Sequence, residues 1–283
     1  MQRFGYVDTP QGQLHYRRSV LAAESAAAGA TPVVLLHWAP GSSVQYAAIV
    51  EAFGAVGIDA VAPDLPGFGM SLRREGHWSI GDFAANLLEG LAALGLRRAT
   101  LVGGHLSALI ALEMALRSPA TFDLLALDGT PAWDAATRHS ILDKAMPVEH
   151  VIREDGSHLV ELWKHLLWEV HMWRPRVPWS PALGEFAMQL LEARMLAGFD
   201  MRPARALLEY DVFAALDAVR VPVLALSADD DPLRNCHDEL LRRVPGARGH
   251  VFTGDHPIHE AARATEFVVP ILAAREGQLE VSR

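Results

Sequence analysis

The sequence predicts an α/β fold: one doubly wound, mostly parallel sheet with a helical cap inserted late in the chain. Three observations predict it. From Thr31 onward, short apolar runs alternate with helix-length amphipathic segments, which is the pattern of successive β-α-β units. The runs end in small or polar residues, as strands do where a parallel sheet opens onto its site. Between Pro131 and Val212 the alternation stops, and that stretch holds five of the seven Trp and five of the 13 His.

Taken in order, Arg3 to Val7 and Gln13 to Ser19 alternate in polarity and are joined at Pro10-Gln11-Gly12, so they read as an antiparallel strand pair. The Ala-rich stretch from Leu21 to Ala30 reads as a surface loop rather than a helix, because a strand must follow at once. The buried runs are Pro32 to Leu36, Ile58 to Ala62, Ala99 to Val102, Asp123 to Leu127, Val221 to Leu226 and, more weakly, His250 to Phe252. Helical periodicity covers Gln45 to Ala55, Ile80 to Leu94, Leu106 to Arg117, Cys236 to Arg243 and Ile258 to Ala274. The expected organisation is a core in two parts, residues 1–130 and 213–283, with the cap at 131–212.

Composition narrows the function classes. With 283 residues, 51% hydrophobic and 21% charged, the chain has enough apolar mass for a large core. A net charge of -9 and no basic block argue against nucleic acid or an anionic membrane as partner. Cys236 is the single cysteine, which excludes an internal disulfide and suits a reducing compartment. No signal-peptide pattern or membrane-length apolar run is seen, so a cytoplasmic protein is expected.

Four strand ends carry residues unsuited to simple packing. They read His37-Trp38-Ala39-Pro40-Gly41-Ser42, Asp64-Leu65-Pro66-Gly67-Phe68-Gly69-Met70-Ser71, Leu101-Val102-Gly103-Gly104-His105-Leu106-Ser107-Ala108, and Ser227-Ala228-Asp229-Asp230-Asp231-Pro232. Near the C-terminus stands Gly254-Asp255-His256-Pro257. In this order the segments resemble the turns of the α/β-hydrolase family. The second of them is the fullest match and implies a structural turn without catalysis.

The resemblance implies roles residue by residue. The first turn would supply an oxyanion-binding amide, that of Ala39, with Trp38 in place of the family's usual Gly and either shaping that half of the hole or closing the pocket wall. On the nucleophile elbow, a gapless match puts His105 where the family carries Ser, with the Leu106 amide as the second oxyanion donor. Sliding the frame makes Ser107 the nucleophile instead, but lengthens the turn by two residues. Asp231, with Asp230 as fallback, would orient His256, the family's histidine. Asp128 occupies a strand end where some relatives carry the acid.

In the cap, Trp163, Trp168, Trp173 and Trp179 are expected to roof the substrate pocket, with Trp163 and Trp168 as substrate contacts. Glu161, His165 and Glu169 share a helical face, where a solvated ion pair is a better reading than a metal site. No dinucleotide fingerprint or phosphate-cradling loop is present, so no cofactor and no metal are expected.

The expected function is therefore an enzyme acting on a small apolar carbonyl, ester or thioester compound. An imidazole at the elbow opens three routes: direct attack on the acyl group, acid/base cleavage with His256, or, least favoured, metal binding. A non-catalytic small-molecule binder of the same fold is the alternative.

Overall fold

The computed structural model describes residues 1–21, 30–73, 75–144, 152–173, 179–196, 202–229 and 231–278. In chain order the elements are β1 (Gln2–Thr9), β2 (Gly12–Ser19), β3 (Val33–Leu36), α1 (Ala47–Ala55), β4 (Ala60–Pro63), α2 (Ile80–Ala93), β5 (Ala99–Gly104), α3 (Leu106–Arg117) and β6 (Phe122–Asp128). There follow α4 (Ala135–Lys144), α5 (Ser157–Trp173), α6 (Pro181–Leu196), α7 (Arg202–Glu209), α8 (Val212–Ala218), β7 (Val223–Ala228), α9 (Arg234–Arg243), β8 (Arg248–Phe252) and α10 (Ala264–Arg275). The eight strands form one sheet in the order β1-β2-β4-β3-β5-β6-β7-β8. Only the β1–β2 and β2–β4 pairings are antiparallel. The others run parallel, as the continuous apolar runs require.

Alternate strand residues feed two separate cores, because successive side chains leave a strand on opposite faces. Val34, Leu36, Leu101, Leu125 and Leu127 pack with Phe83, Leu109, Leu112, Leu216 and Leu240, so α2, α3, α8 and α9 cover one face. Val33, Leu35, Val102, Leu124 and Ala126 pack with Ile49, Phe53, Phe267 and Ile271, so α1 and α10 cover the other. The start of α2 is fixed by a reciprocal cap: Asp82 N–H donates to Ser79 Oγ at 3.2 Å, and Ser79 N–H to Asp82 Oδ2 at 2.8 Å.

Element ends moved by a few residues from the sequence expectation. The last helix begins at Ala264 rather than Ile258, because Pro257 opens a separate single turn through His259 and a second turn spans Ala261–Arg263. The loop expected at Leu21 to Ala30 lies almost wholly outside the described residues. Cys236 is buried, and burial pushes its thiol above the ordinary value, in keeping with an inert core sulfur.

The turn after β4 is organised by one carboxylate. Asp64 is buried and accepts hydrogen bonds from Ser43 N–H at 2.6 Å, Met70 N–H at 2.9 Å and the His15 ring at 2.8 Å. Burial, the largest single influence, would raise its pKa. The His15 hydrogen bond, the His37 ring and the two amides together outweigh it and hold the group at about 2. The turn's structural role thus rests on a charge that ties β2, the 37–43 turn and the 64–71 turn together.

A depressed carboxylate pKa stabilises the fold above the unfolded-state value near about 4, and that contribution is lost as pH falls toward the folded-state value. Asp64→Asn is expected to cost about 3 kcal/mol in urea unfolding at pH 7 and to flatten the loss of stability between about pH 4 and 2. A variant as stable as the wild type at pH 7 would show that the carboxylate network does not hold the turn.

Candidate active site

The parallel strands end level with one another. Leu36 pairs with Gly103, Gly104 with Asp128, and Asp128 with Leu226, so the residues just beyond β3, β5, β6 and β7 meet above one edge. Open sheets place their sites at such an edge.

At the centre is His105. It is the sole non-glycine residue with positive φ among those described, at φ 52° and ψ -117°, and it connects β5 to α3 without an intervening loop. Its N–H donates to Asp128 O at 2.9 Å. This is the sharp strand-to-helix turn expected at that position, with an imidazole at its apex. Ser107 sits inside the first turn of α3, fully buried, accepting from Gly104 N–H at 3.0 Å and donating to Leu36 O at 2.6 Å. The slid frame with Ser107 as nucleophile is therefore set aside, since that hydroxyl is spent on joining β3, β5 and α3.

The carboxylates are arranged differently from expectation. Asp231 was expected to orient His256, but Asp128 does so: His256 Nε2 lies 3.0 Å from Asp128 Oδ1, with both side chains buried. The other ring nitrogen, Nδ1, accepts from Ile258 N–H at 3.2 Å, so the Nε2–H tautomer donates to the carboxylate. Asp231 instead faces the elbow, with Oδ2 3.9 Å from His105 Nε2. The reason lies in the two strand ends. Asp128 is the last residue of β6, beneath the loop that carries His256, whereas Asp231 follows the end of β7 by three residues. The Asp231 turn is closed by Asp231 N–H to Ala228 O at 3.1 Å and Leu233 N–H to Asp231 Oδ1 at 2.7 Å, which leaves Oδ2 aimed across at residue 105. The fallback Asp230 lies outside the described residues.

Burial is the main influence on His105 and pushes its pKa below the ordinary imidazole value. The charges of Asp231 and Asp128 oppose that shift, and His256 adds to it. The ring is thus neutral at pH 7.

Trp38 covers this imidazole. Its indole stacks on His105 with ring centroids 4.0 Å apart and planes at 21°, and meets the His256 ring edge-on at 5.2 Å. The indole also lies so close to Gly104 that any β-carbon there would overlap it. The backbone of Trp38 is pinned from both sides: its N–H donates to Gln45 Oε1 at 3.0 Å, and its carbonyl accepts from His37 Nδ1 at 2.9 Å. His37 Nε2 in turn accepts from Leu65 N–H at 2.9 Å, which ties the first turn to the second. Burial lowers the His37 pKa, as suits a neutral ring that donates at one nitrogen and accepts at the other. With the Trp38 amide committed to Gln45, Ala39 is the next amide along that turn. Leu106 is the first residue of α3, where an amide has no acceptor within the helix.

Trp163 is half-buried on α5. The side chains of Trp168, His165, Glu169 and Trp173 lie outside the described residues, and Trp179 is exposed. Helix α6 approaches the 257–259 turn next to His256, and α7 packs on α3. A groove of about 510 Å³ lies beside the Asp231 turn, lined by Ala132, Trp133, Phe213, Pro232 and Cys236 among others. Among the described residues no three His, Cys, Asp or Glu side chains group as metal ligands, and no helix is long and apolar enough to cross a membrane. Sequence reasoning missed Gln45 and His37 as the supports of Trp38; a buried Gln on a helix-starting segment carries no signal of its own.

A sequence model of the alpha/beta hydrolase fold matches residues 31–235, and the chain belongs to that family. Among curated proteins, "Putative carbamate hydrolase RutD" of Escherichia coli O6:H1 is 28% identical over 175 residues, covering 60% of this chain and 61% of that protein. The chain thus matches about three fifths of that relative's length. Among solved structures, a hydrolase from Pseudomonas aeruginosa superposes with a TM-score of 0.70 at 20% identity, covering 97% of this chain and 98% of the other. The enol-lactonase from Burkholderia xenovorans LB400 gives 0.68 at 18% identity, covering 95% and 100%. At such identity these structures show the shared fold.

Two expectations follow from the geometry. A β-carbon at Gly129, whose φ is 52°, would stand 2.7 Å from Asp231 Oδ2 and 2.8 Å from His105 Nε2. Gly129→Ala should cost about 1 to 3 kcal/mol of stability and push the two side chains apart; unchanged unfolding and unchanged activity would contradict the contact. Asp128→Ala leaves the buried His256 donor unsatisfied and should destabilise by about 2 to 3 kcal/mol, against about 1 for Asp231→Asn, which keeps its acceptor for Leu233. Denaturation curves of the two variants give the comparison, and a reversed order would return Asp231 to the role of His256's support.

Proposed function

We propose that this protein is a hydrolase of small, apolar carbonyl compounds such as esters, lactones or carbamates, with the His105 imidazole as its general base. The observation that carries the reading is an imidazole at the apex of the strand-to-helix turn, 3.9 Å from the Asp231 carboxylate and with its pKa lowered by burial, at the position where the resemblance to the family puts the nucleophile. The substrate class is supported by the relatives, a putative carbamate hydrolase and an enol-lactonase.

The proposed step follows from the residues present. His105 takes a proton from water as the water oxygen attacks the substrate carbonyl carbon. The new C–O bond places negative charge on the carbonyl oxygen, which the amides of Ala39 and Leu106 receive. The C–O or C–N bond to the leaving group then breaks, and His105 returns its proton to that group. Asp231 stabilises the imidazolium while it exists. Proton transfer of this kind is worth about 10² to 10⁴ in rate. In this scheme His256, engaged by Asp128 and the Ile258 amide, positions Trp38 and the loop above the elbow. The helices of residues 131–212 form the cap, and Trp163 walls part of the substrate site.

A second reading is favoured by the absence of a hydroxyl at the elbow. The same base removes a proton from the carbon beside a carbonyl, the C–O bond at the next carbon breaks as a C=C bond forms, and the proton passes to the departing oxygen, so no water enters the product. Hydrolysis in H₂¹⁸O separates the two, since only hydrolysis places ¹⁸O in the acid.

The direct test is turnover of p-nitrophenyl acetate and butyrate. His105→Ala is expected to lose about 10² to 10⁴ in kcat/KM; full turnover retained in that variant and in His256→Ala would remove the site assignment, and no turnover by the wild type would leave a non-catalytic binder. The base must be neutral to act, so the rate should fall only as pH drops through the His105 pKa, below the ordinary value of 6.5. An acid limb centred above pH 7 would show that another group is titrating.

A further inference from the structure

We infer that Trp38 determines how large an acyl group reaches His105, and that its indole admits only short acyl chains. The inference rests on His105 as the reacting group and adds to it the substrate's size class. Three independent contacts place the indole where the acyl part of a substrate would lie. Its face is parallel to the His105 ring at 4.0 Å, which is van der Waals contact and leaves no room for a substrate layer between them. Its edge meets His256 at 5.2 Å, closing the gap between the two imidazoles. Its pyrrole side rests on Gly104, the residue before the apex, where only the missing side chain makes room for it.

The indole cannot drift away with its loop. The Trp38 backbone is held by Gln45 and His37, and His37 by Leu65, so only rotation of the side chain uncovers His105. The His105 side chain keeps 16% of its surface exposed, while its Nε2 is buried. A compact acyl group can use that opening. A long one overlaps the indole and must displace it, losing the stacking contact.

The test measures access to His105 directly, so it does not depend on turnover. Diethyl pyrocarbonate is a small acyl donor: a neutral imidazole nitrogen attacks one of its carbonyl carbons, an N–C bond forms and ethyl carbonate leaves. The rate of modification of His105, followed by peptide mass analysis, is compared in wild type, Trp38→Ala and Trp38→Phe, with acetamide or hexanamide present as competitor. Removing the indole should speed labelling of His105 about tenfold, and hexanamide should protect the alanine variant about tenfold better than it protects wild type, while acetamide protects both alike. Trp38→Phe should fall between them. Should the alanine variant fail to fold, Trp38→Leu carries the same comparison.

Equal labelling and equal hexanamide protection in wild type and variant would overturn the inference. Faster labelling without a gain in hexanamide protection would also overturn it, because the indole would then shield His105 without selecting by size. The esterase assay judges the proposed hydrolysis separately. If no variant turns over an ester while hexanamide protection rises as expected, the size filter stands and the chemistry falls.

Discussion

A strand of this sheet turns into a helix within a single residue, and every other feature of the site is arranged around that constraint. The turn at His105 needs a positive φ with ψ at -117°, a strained backbone that a side chain without β-branching enters more readily than a β-branched one. The surroundings hold it there: the His105 amide is tied to Asp128 O, and the Ser107 hydroxyl binds β3 and β5 to the first turn of α3. Once the apex is fixed, its side chain must rise above the sheet edge, where the ends of β3, β6 and β7 converge on it.

The electrostatics follow from that convergence. Two histidines and two aspartates are packed close together and largely buried, and each imidazole has one carboxylate beside it. Asp128 lies at hydrogen-bond distance from His256, while Asp231 stands at 3.9 Å from His105, close enough to stabilise a charge on the ring without fixing it. Burial keeps the apex imidazole neutral at rest. Such a ring can accept a proton when a reaction delivers one, and a carboxylate already in place lowers the cost of doing so. The indole of Trp38 covers one face of the ring and adds to its burial.

Much of this was legible in the sequence. The parallel strands announced themselves as apolar runs because both faces of the sheet are covered, as the division of Val33, Leu35 and Val102 from Val34, Leu36 and Leu101 between the two cores demonstrates. The apex position of His105 was legible from the gapless match on either side of it. The partner of His256 was not, because one aspartate ends β6 and another lies three residues beyond the end of the adjacent β7, and their order along the chain does not say which one a later loop will pass over. Trp38 could be named as unusual, yet whether it framed the hole or closed the wall depended on a rotamer that Gln45, His37 and Gly104 decide together.

Local sequence by itself determined the strands, the helices that cover them and the residue at the turn, since these depend on periodicity and on the few residue types that a tight bend accepts. The tertiary structure decided which acid lies beside which histidine and what covers the His105 ring. Those depend on contacts between segments separated by tens of residues to well over a hundred, where hydrogen-bond distances and the shape of a single buried space select among side chains of the same chemical type.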